Sequence, residues 1–136
     1  MNRSPCVLIV EADILVRHSL AEYLRECGYR VVQAANTDEA RTLLARRRRR
    51  LVIHVVLADV SVPGGENAFA LATWIRANHP EVQVILAGTV DACTERAGEL
   101  CEDGPTLSKP YDHQLLLDRI RRLLAARDRT ERNGSV

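Results

Sequence analysis

The sequence predicts a doubly wound α/β domain built on a five-stranded parallel sheet, and three observations carry that prediction. Short apolar runs alternate with amphipathic stretches five times along the chain. The runs are apolar at successive positions rather than at every second one, so both faces of the sheet need helices packed against them. The length, 136 residues, suits one domain that buries roughly two-thirds of its unfolded surface.

The first run, Cys6–Val10, has strand length and is followed by the acids Glu11 and Asp13. Over 13–27 the apolar residues Val16, Leu20, Leu24 and Cys27 recur at helical spacing, with Asp13 suited to the start and Gly28 to the stop. A second strand follows over 29–34. Asn36, Thr37, Asp38 and Glu39 then cap a second helix that reaches about residue 47. The third run, 51–58, is interrupted only by His54 and delivers Asp59 at its end. Residues 61–67 contain Pro63, Gly64 and Gly65 and read as a loop. A helix over 68–78 is broken by Pro80, and a fourth strand spans 82–87. A helix over 91–101 carries a thin stripe of Cys93, Ala97 and Leu100. A short fifth strand at 106–108 is closed by Pro110. The last helix, 111–126, sets Leu116, Ile120, Leu123 and Leu124 on one side. The domain is therefore expected over 1–126, with 127–136 a polar, disordered tail.

Composition narrows the function. At 46% hydrophobic and 27% charged, the chain reads as an ordinary soluble globular protein. Nineteen basic residues against 18 acidic ones give a net charge of +1, which excludes a globally basic nucleic-acid binder. Only one of the basic residues is a lysine, Lys109. Cys6, Cys27, Cys93 and Cys101 lack the spacing of a zinc site. The first apolar run is stopped by Glu11, so no secretory signal is expected, and no run approaches a membrane span. Reduced cysteines and a cytoplasmic protein are the expectation.

In doubly wound sheets the ligand site lies beyond the carboxyl ends of the strands, where strand order reverses. The residues expected there are Glu11, Ala12 and Asp13, then Asp59, Val60 and Ser61, then Gly88 and Thr89, and finally Ser108, Lys109 and Pro110. Two carboxylates brought together repel unless a cation lies between them, and Mg²⁺ takes carboxylates plus waters. A lysine opposite supplies a compact charge for an incoming anion. The set suits a phosphoryl group attached to a carboxylate.

Residues 6–126 resemble the receiver domain of two-component response regulators. The likeness rests on Val7, Leu8, Ile9, Val10 and Glu11, and on Val16, Leu20 and Leu24 with Gly28 and Tyr29. It rests equally on Leu57, Ala58, Asp59 and Val60 followed by Pro63 and Gly64, and on Lys109, Pro110 and Tyr111. The resemblance implies a flavodoxin-like (βα)5 fold with strand order 2-1-3-4-5. It implies a non-enzymatic signalling protein in which Asp59 accepts a phosphoryl group from a histidine kinase or histidine phosphotransfer protein. Glu11, Asp59 and the Ser61 backbone carbonyl would hold Mg²⁺, with Asp13 a further candidate, and Lys109 and Thr89 would contact the phosphoryl oxygens. Output would pass to a downstream protein target. Homodimerisation through the fourth helix, fifth strand and fifth helix belongs to the same likeness.

Three positions depart from the family pattern. Ala12 stands where a second acid normally ligates Mg²⁺, so weakened metal binding is expected. Gly88 aligns with the hydroxyl residue that ends the fourth strand, leaving Thr89 one place late. Thr106 replaces the aromatic switch residue three places before the lysine.

Other conspicuous residues have plainer readings. His54 reads as a hydrogen-bonded core or edge histidine, and Trp74 as helix packing or a partial surface anchor. The five arginines from Arg46 to Arg50 suit a solvated helix end, or a docking patch for an acidic partner or nucleic acid. A DNA-binding output domain would need about 50 further residues, so none is expected, and no membrane association either. The leading expectation is a stand-alone receiver switched at Asp59. The alternative is a degenerate receiver that binds its partner independently of phosphate. A flavodoxin-like enzyme or nucleotide binder would need a phosphate-wrapping first loop, which Glu11, Ala12, Asp13, Ile14 and Leu15 do not supply.

Overall fold

The apolar runs assemble into one parallel sheet. In the computed structural model, which describes residues 4–46, 52–88, 107–108 and 113–134 (side chains at 4–46, 52–88 and 114–126), the strands are β1 (Cys6–Val10), β2 (Arg30–Ala34), β3 (Val55–Asp59), β4 (Gln83–Gly88) and β5 (Leu107–Ser108). Their spatial order is β2-β1-β3-β4-β5, so strand order reverses between β1 and β3. Helices α1 (Ile14–Glu26), α2 (Thr37–Ala45) and α3 (Ala68–Asn78) and a C-terminal helix (His113–Gly134) complete the described fold. The helix expected over 91–101 lies outside the described residues, as do Thr89, Thr106, Lys109 and Arg47 to Arg50.

Position parity sorts the core into two layers. Cys6, Leu8 and Val10 of β1 join Val56 and Ala58 of β3 against Ala40 and Leu44 of α2 and Leu71 and Ile75 of α3. Val7 and Ile9 join Val55 and Leu57 on the other side, against Leu20 and Leu24 of α1 and Leu116 and Ile120 of the C-terminal helix. Period-two alternation along strands buried on both faces makes this division.

The helix starts follow their capping chemistry. Asp13, Asn36 and Asn67 each accept backbone N–H bonds from the first turn of the helix they precede. Gly28, at φ +97°, turns the chain out of α1 at the expected stop.

Several boundaries differ from expectation, for local reasons. Strand β3 begins at Val55 rather than at residue 51: His54 still bonds Cys6 and Gln83 through its backbone, but its Nδ1 takes the Cys6 N–H at 3.0 Å, which a backbone carbonyl further back would otherwise accept. That bond makes His54 the hydrogen-bonded histidine expected. Helix α2 stops at Ala45, where repeated like charge begins with Arg46. The C-terminal helix passes Ala126 and continues to Gly134, since no Gly or Pro interrupts 127–133. Among the described residues no helix is long and apolar enough to cross a membrane.

Candidate functional site

Glu11 and Asp59 close the two central strands at the reversal point. The β1–β3 register pairs Val10 with Ala58, so Glu11 and Asp59 stand at the next matching positions of the two central strands. Both continue the odd-numbered series and therefore share the α1 side of the sheet. Their exposures are only 2% and 8%, so both carboxylates stand where water screens little.

The β1–α1 turn constrains Glu11 at both ends of the residue. Its N–H continues the ladder to the Ala34 carbonyl at 3.0 Å. One carboxylate oxygen accepts the Asp13 N–H at 3.2 Å, and Arg17 Nη1 donates to the Glu11 carbonyl at 2.7 Å. Arg17 is itself oriented by a bond from its Nε to Gln33 of β2. Sequence reasoning missed Arg17; its position one turn into α1, after the acids, was the available signal. Asp13 is occupied otherwise, since its carboxylate caps α1 by accepting from Leu15 and Val16 N–H at 2.9 and 3.4 Å. Ala12 is exposed between these two acids.

On the other flank, Asp59 adjoins the end of β4. Asp59 pairs with Ala87, which is buried on the same side as Ile9 and Leu57. Gly88 is one residue further on and belongs to the opposite face. Gly88, the last residue of β4, has no side chain, so the position aligned with the family's hydroxyl carries none. Lys109 and Thr89 lie outside the described residues, although Ser108 pairs with Gly88 and so brings β5 alongside the end of β4.

After Asp59 the chain makes a turn in which the Val62 N–H bonds the Asp59 carbonyl at 3.1 Å and the Val60 N–H bonds Ala87. Val60 and Val62 are buried, and Ser61 between them is exposed. Among the described residues no three His, Cys, Asp or Glu side chains converge as a metal-ligating group. Two carboxylates and a backbone carbonyl still suit Mg²⁺, which commonly keeps several waters and takes one or two carboxylates.

Residues 63–66 of the β3–α3 loop are joined directly to the start of α2. Thr37 N–H bonds the Pro63 carbonyl at 3.0 Å, and its hydroxyl bonds the Glu66 carbonyl at 2.7 Å. The Gly65 N–H bonds the Asp38 carboxylate at 3.0 Å, and Arg41 pairs with Glu66 at 3.3 Å. Arg41 also lies over the Trp74 ring, 4.4 Å from its centre, so Trp74 is a partly buried anchor of this corner. Gly64 has φ +145°, and a methyl group built there would overlap the Thr37 hydroxyl. A Gly64→Ala variant is therefore expected to lose about 1–3 kcal/mol of stability, measured by urea unfolding; a midpoint equal to the parent's would refute the close approach.

Comparison with known proteins agrees with this architecture. The sequence matches the response regulator receiver domain family over residues 7–121. It is 32% identical over 133 residues to the response regulator protein FleR of Pseudomonas aeruginosa, covering 96% of this chain and 27% of that protein. It is 28% identical over 125 residues to the transcriptional regulatory protein AruR of the same species, covering 91% of this chain and 51% of that protein. The chain thus spans about half or less of these curated relatives. The signal receiver domain of an HD domain-containing protein from Pseudomonas fluorescens Pf-5 superposes with a TM-score of 0.81 at 26% identity, covering 98% of this chain and 96% of that one. With the sheet order, the paired acids of the central strands and a family match across most of its length, this chain belongs to the response regulator receiver domain family.

Proposed function

We propose that this receiver accepts a phosphoryl group on Asp59 from a phosphohistidine of a histidine kinase or phosphotransfer protein and signals onward by protein contact. The observation that carries the reading is the burial of Glu11 and Asp59 together at paired ends of the two central strands. A core or a strand ladder has no use for two adjacent carboxylates, and such pairs persist where chemistry needs them.

In the reaction, an Asp59 carboxylate oxygen attacks phosphorus in line with the bond to the donor imidazole. The P–O bond forms as the P–N bond breaks, and the departing imidazole nitrogen keeps the electron pair and takes up a proton. Glu11, Asp59 and the Ser61 carbonyl are the ligands assigned to Mg²⁺. That ion, when bound, neutralises charge on the phosphoryl oxygens. Arg17 fixes the backbone of Glu11, and the Val62 N–H bond fixes the turn after Asp59. Lys109 is assigned to the acyl phosphate on the family likeness, and Thr89 to a phosphoryl oxygen. Asp13 is assigned to helix capping. The same reading implies a cytoplasmic protein.

The test is intact-mass spectrometry after incubation with a small-molecule phosphodonor and Mg²⁺. One labile phosphoryl group, removed by hydroxylamine, is the expected result. Absence of any adduct would sink this reading and favour a receiver that binds its partner without phosphate, a role that Gly88 in place of the family's hydroxyl residue also suits.

A further inference from the structure

We infer that Thr37 and Asp38, at the start of α2, are positioning residues that hold the β3–α3 loop in the shape the metal site requires, so that α2 and Mg²⁺ binding at Asp59 are coupled. This rests on the proposed chemistry at Asp59 and adds to it a control point on a different helix.

The loop after Asp59 has two unequal parts. Residues 60–62 are held by burial of Val60 and Val62 and by two backbone bonds. Residues 63–66 include consecutive glycines, which carry the largest backbone freedom and have no side chain to bury. Left alone, this half would be loose, and the Val62 N–H bond would be left to hold the peptide of the Ser61 carbonyl against its motion.

The first turns of α2 restrain it. Thr37 is completely buried and engages the loop through both its N–H and its hydroxyl. Asp38 takes the Gly65 N–H, and Arg41 closes the far end on Glu66. Three of the four loop residues 63–66 are thus bonded by one helix start, and Gly64 allows the approach. A need for stability alone would be met as well by apolar packing. Directional bonds to loop carbonyls and amides instead set peptide orientation, which is what a carbonyl ligand depends on.

The coupling is reciprocal. If breaking the latch weakens Mg²⁺ binding, Mg²⁺ binding must tighten the latch by the same factor.

The experiment compares the parent with Thr37→Val, which keeps the shape and the backbone bond but loses the hydroxyl, and with Thr37→Ser, which restores it. Asp38→Ala tests the exposed half of the latch and keeps the proposal open to refutation if Thr37→Val does not fold. Mg²⁺ affinity is measured by calorimetry, and exchange of the Thr37 and Gly65 amides is followed with and without Mg²⁺. Thr37→Val and Asp38→Ala are expected to bind Mg²⁺ about fivefold more weakly each, with Thr37→Ser near the parent. Mg²⁺ is expected to slow exchange of both amides in the parent. Variants that melt earlier yet keep the parent's Mg²⁺ affinity, with exchange indifferent to the ion, would make the latch purely structural and overturn the inference. A parent that binds no Mg²⁺ at all would instead remove the assignment of the site, and the inference with it.

Discussion

An Asp59→Asn variant is expected to fold as the parent does and to take up no phosphoryl group from any donor. The amide has nearly the size of the carboxylate, so the packing around β3 is preserved. It lacks the anionic oxygen that forms the new P–O bond, and loss of the adduct should be complete rather than partial. The effect on stability has a definite sign. Asp59 and Glu11 are both buried at adjoining strand ends, and removing one of two like charges relieves repulsion. In metal-free buffer the variant's melting temperature is expected at or above the parent's, by up to about 4 °C. Addition of Mg²⁺ reverses the ranking. At about 100 times its dissociation constant the ion stabilises the parent by about 2.7 kcal/mol, most of which the variant forgoes. Thermal melts with and without Mg²⁺, beside intact-mass spectra, read both effects. An adduct on Asp59→Asn at the parent's level would place the acceptor on another residue.

The fold was legible because the strands are apolar at successive positions and the helices carry polar caps. Both signals are local, and the sheet order then followed from the family likeness. What the pattern did not carry was register. Strand β4, apolar after Gln83, presents no alternation, and so its residues do not say which of them pairs with Asp59; the register with β3 makes it Ala87. The β3 start was misplaced for a related reason: the His54 imidazole takes the Cys6 N–H, so the ladder that the apolar run suggested goes no further back. The two central acids, Glu11 and Asp59, were visible because each closes an apolar run. Arg17 and Thr37 were not, because their roles depend on contacts with Gln33, Glu11, Pro63 and Glu66 that no spacing rule connects. Thr37 in particular reads in sequence as one of several polar residues at a helix start, and its complete burial comes from the glycine loop folded over it.

Ala12→Asp is expected to tighten Mg²⁺ binding by roughly tenfold or more, since added carboxylate charge is the main lever on the affinity of an oxygen-ligand site. Position 12 follows buried Glu11 in a turn already fixed by the Asp13 N–H and by Arg17, so the new acid enters a shaped site. It also adds a third negative charge. Without Mg²⁺ the variant should therefore be less stable than the parent, and with saturating Mg²⁺ more stable, so that the two melting curves cross as the ion is added. Asp13 already stands one residue away, and the structure says why it does not fill the gap. Its carboxylate is engaged by Leu15 and Val16 N–H, and leaving that cap costs about 1 kcal/mol. An Asp13→Ala variant should accordingly lose about that much stability and keep the parent's Mg²⁺ affinity. Calorimetric titration of both variants separates the roles. If Asp13→Ala weakened Mg²⁺ binding while Ala12→Asp left it unchanged, Asp13 would be the working ligand, and the weakness of the site could no longer be traced to the alanine at position 12.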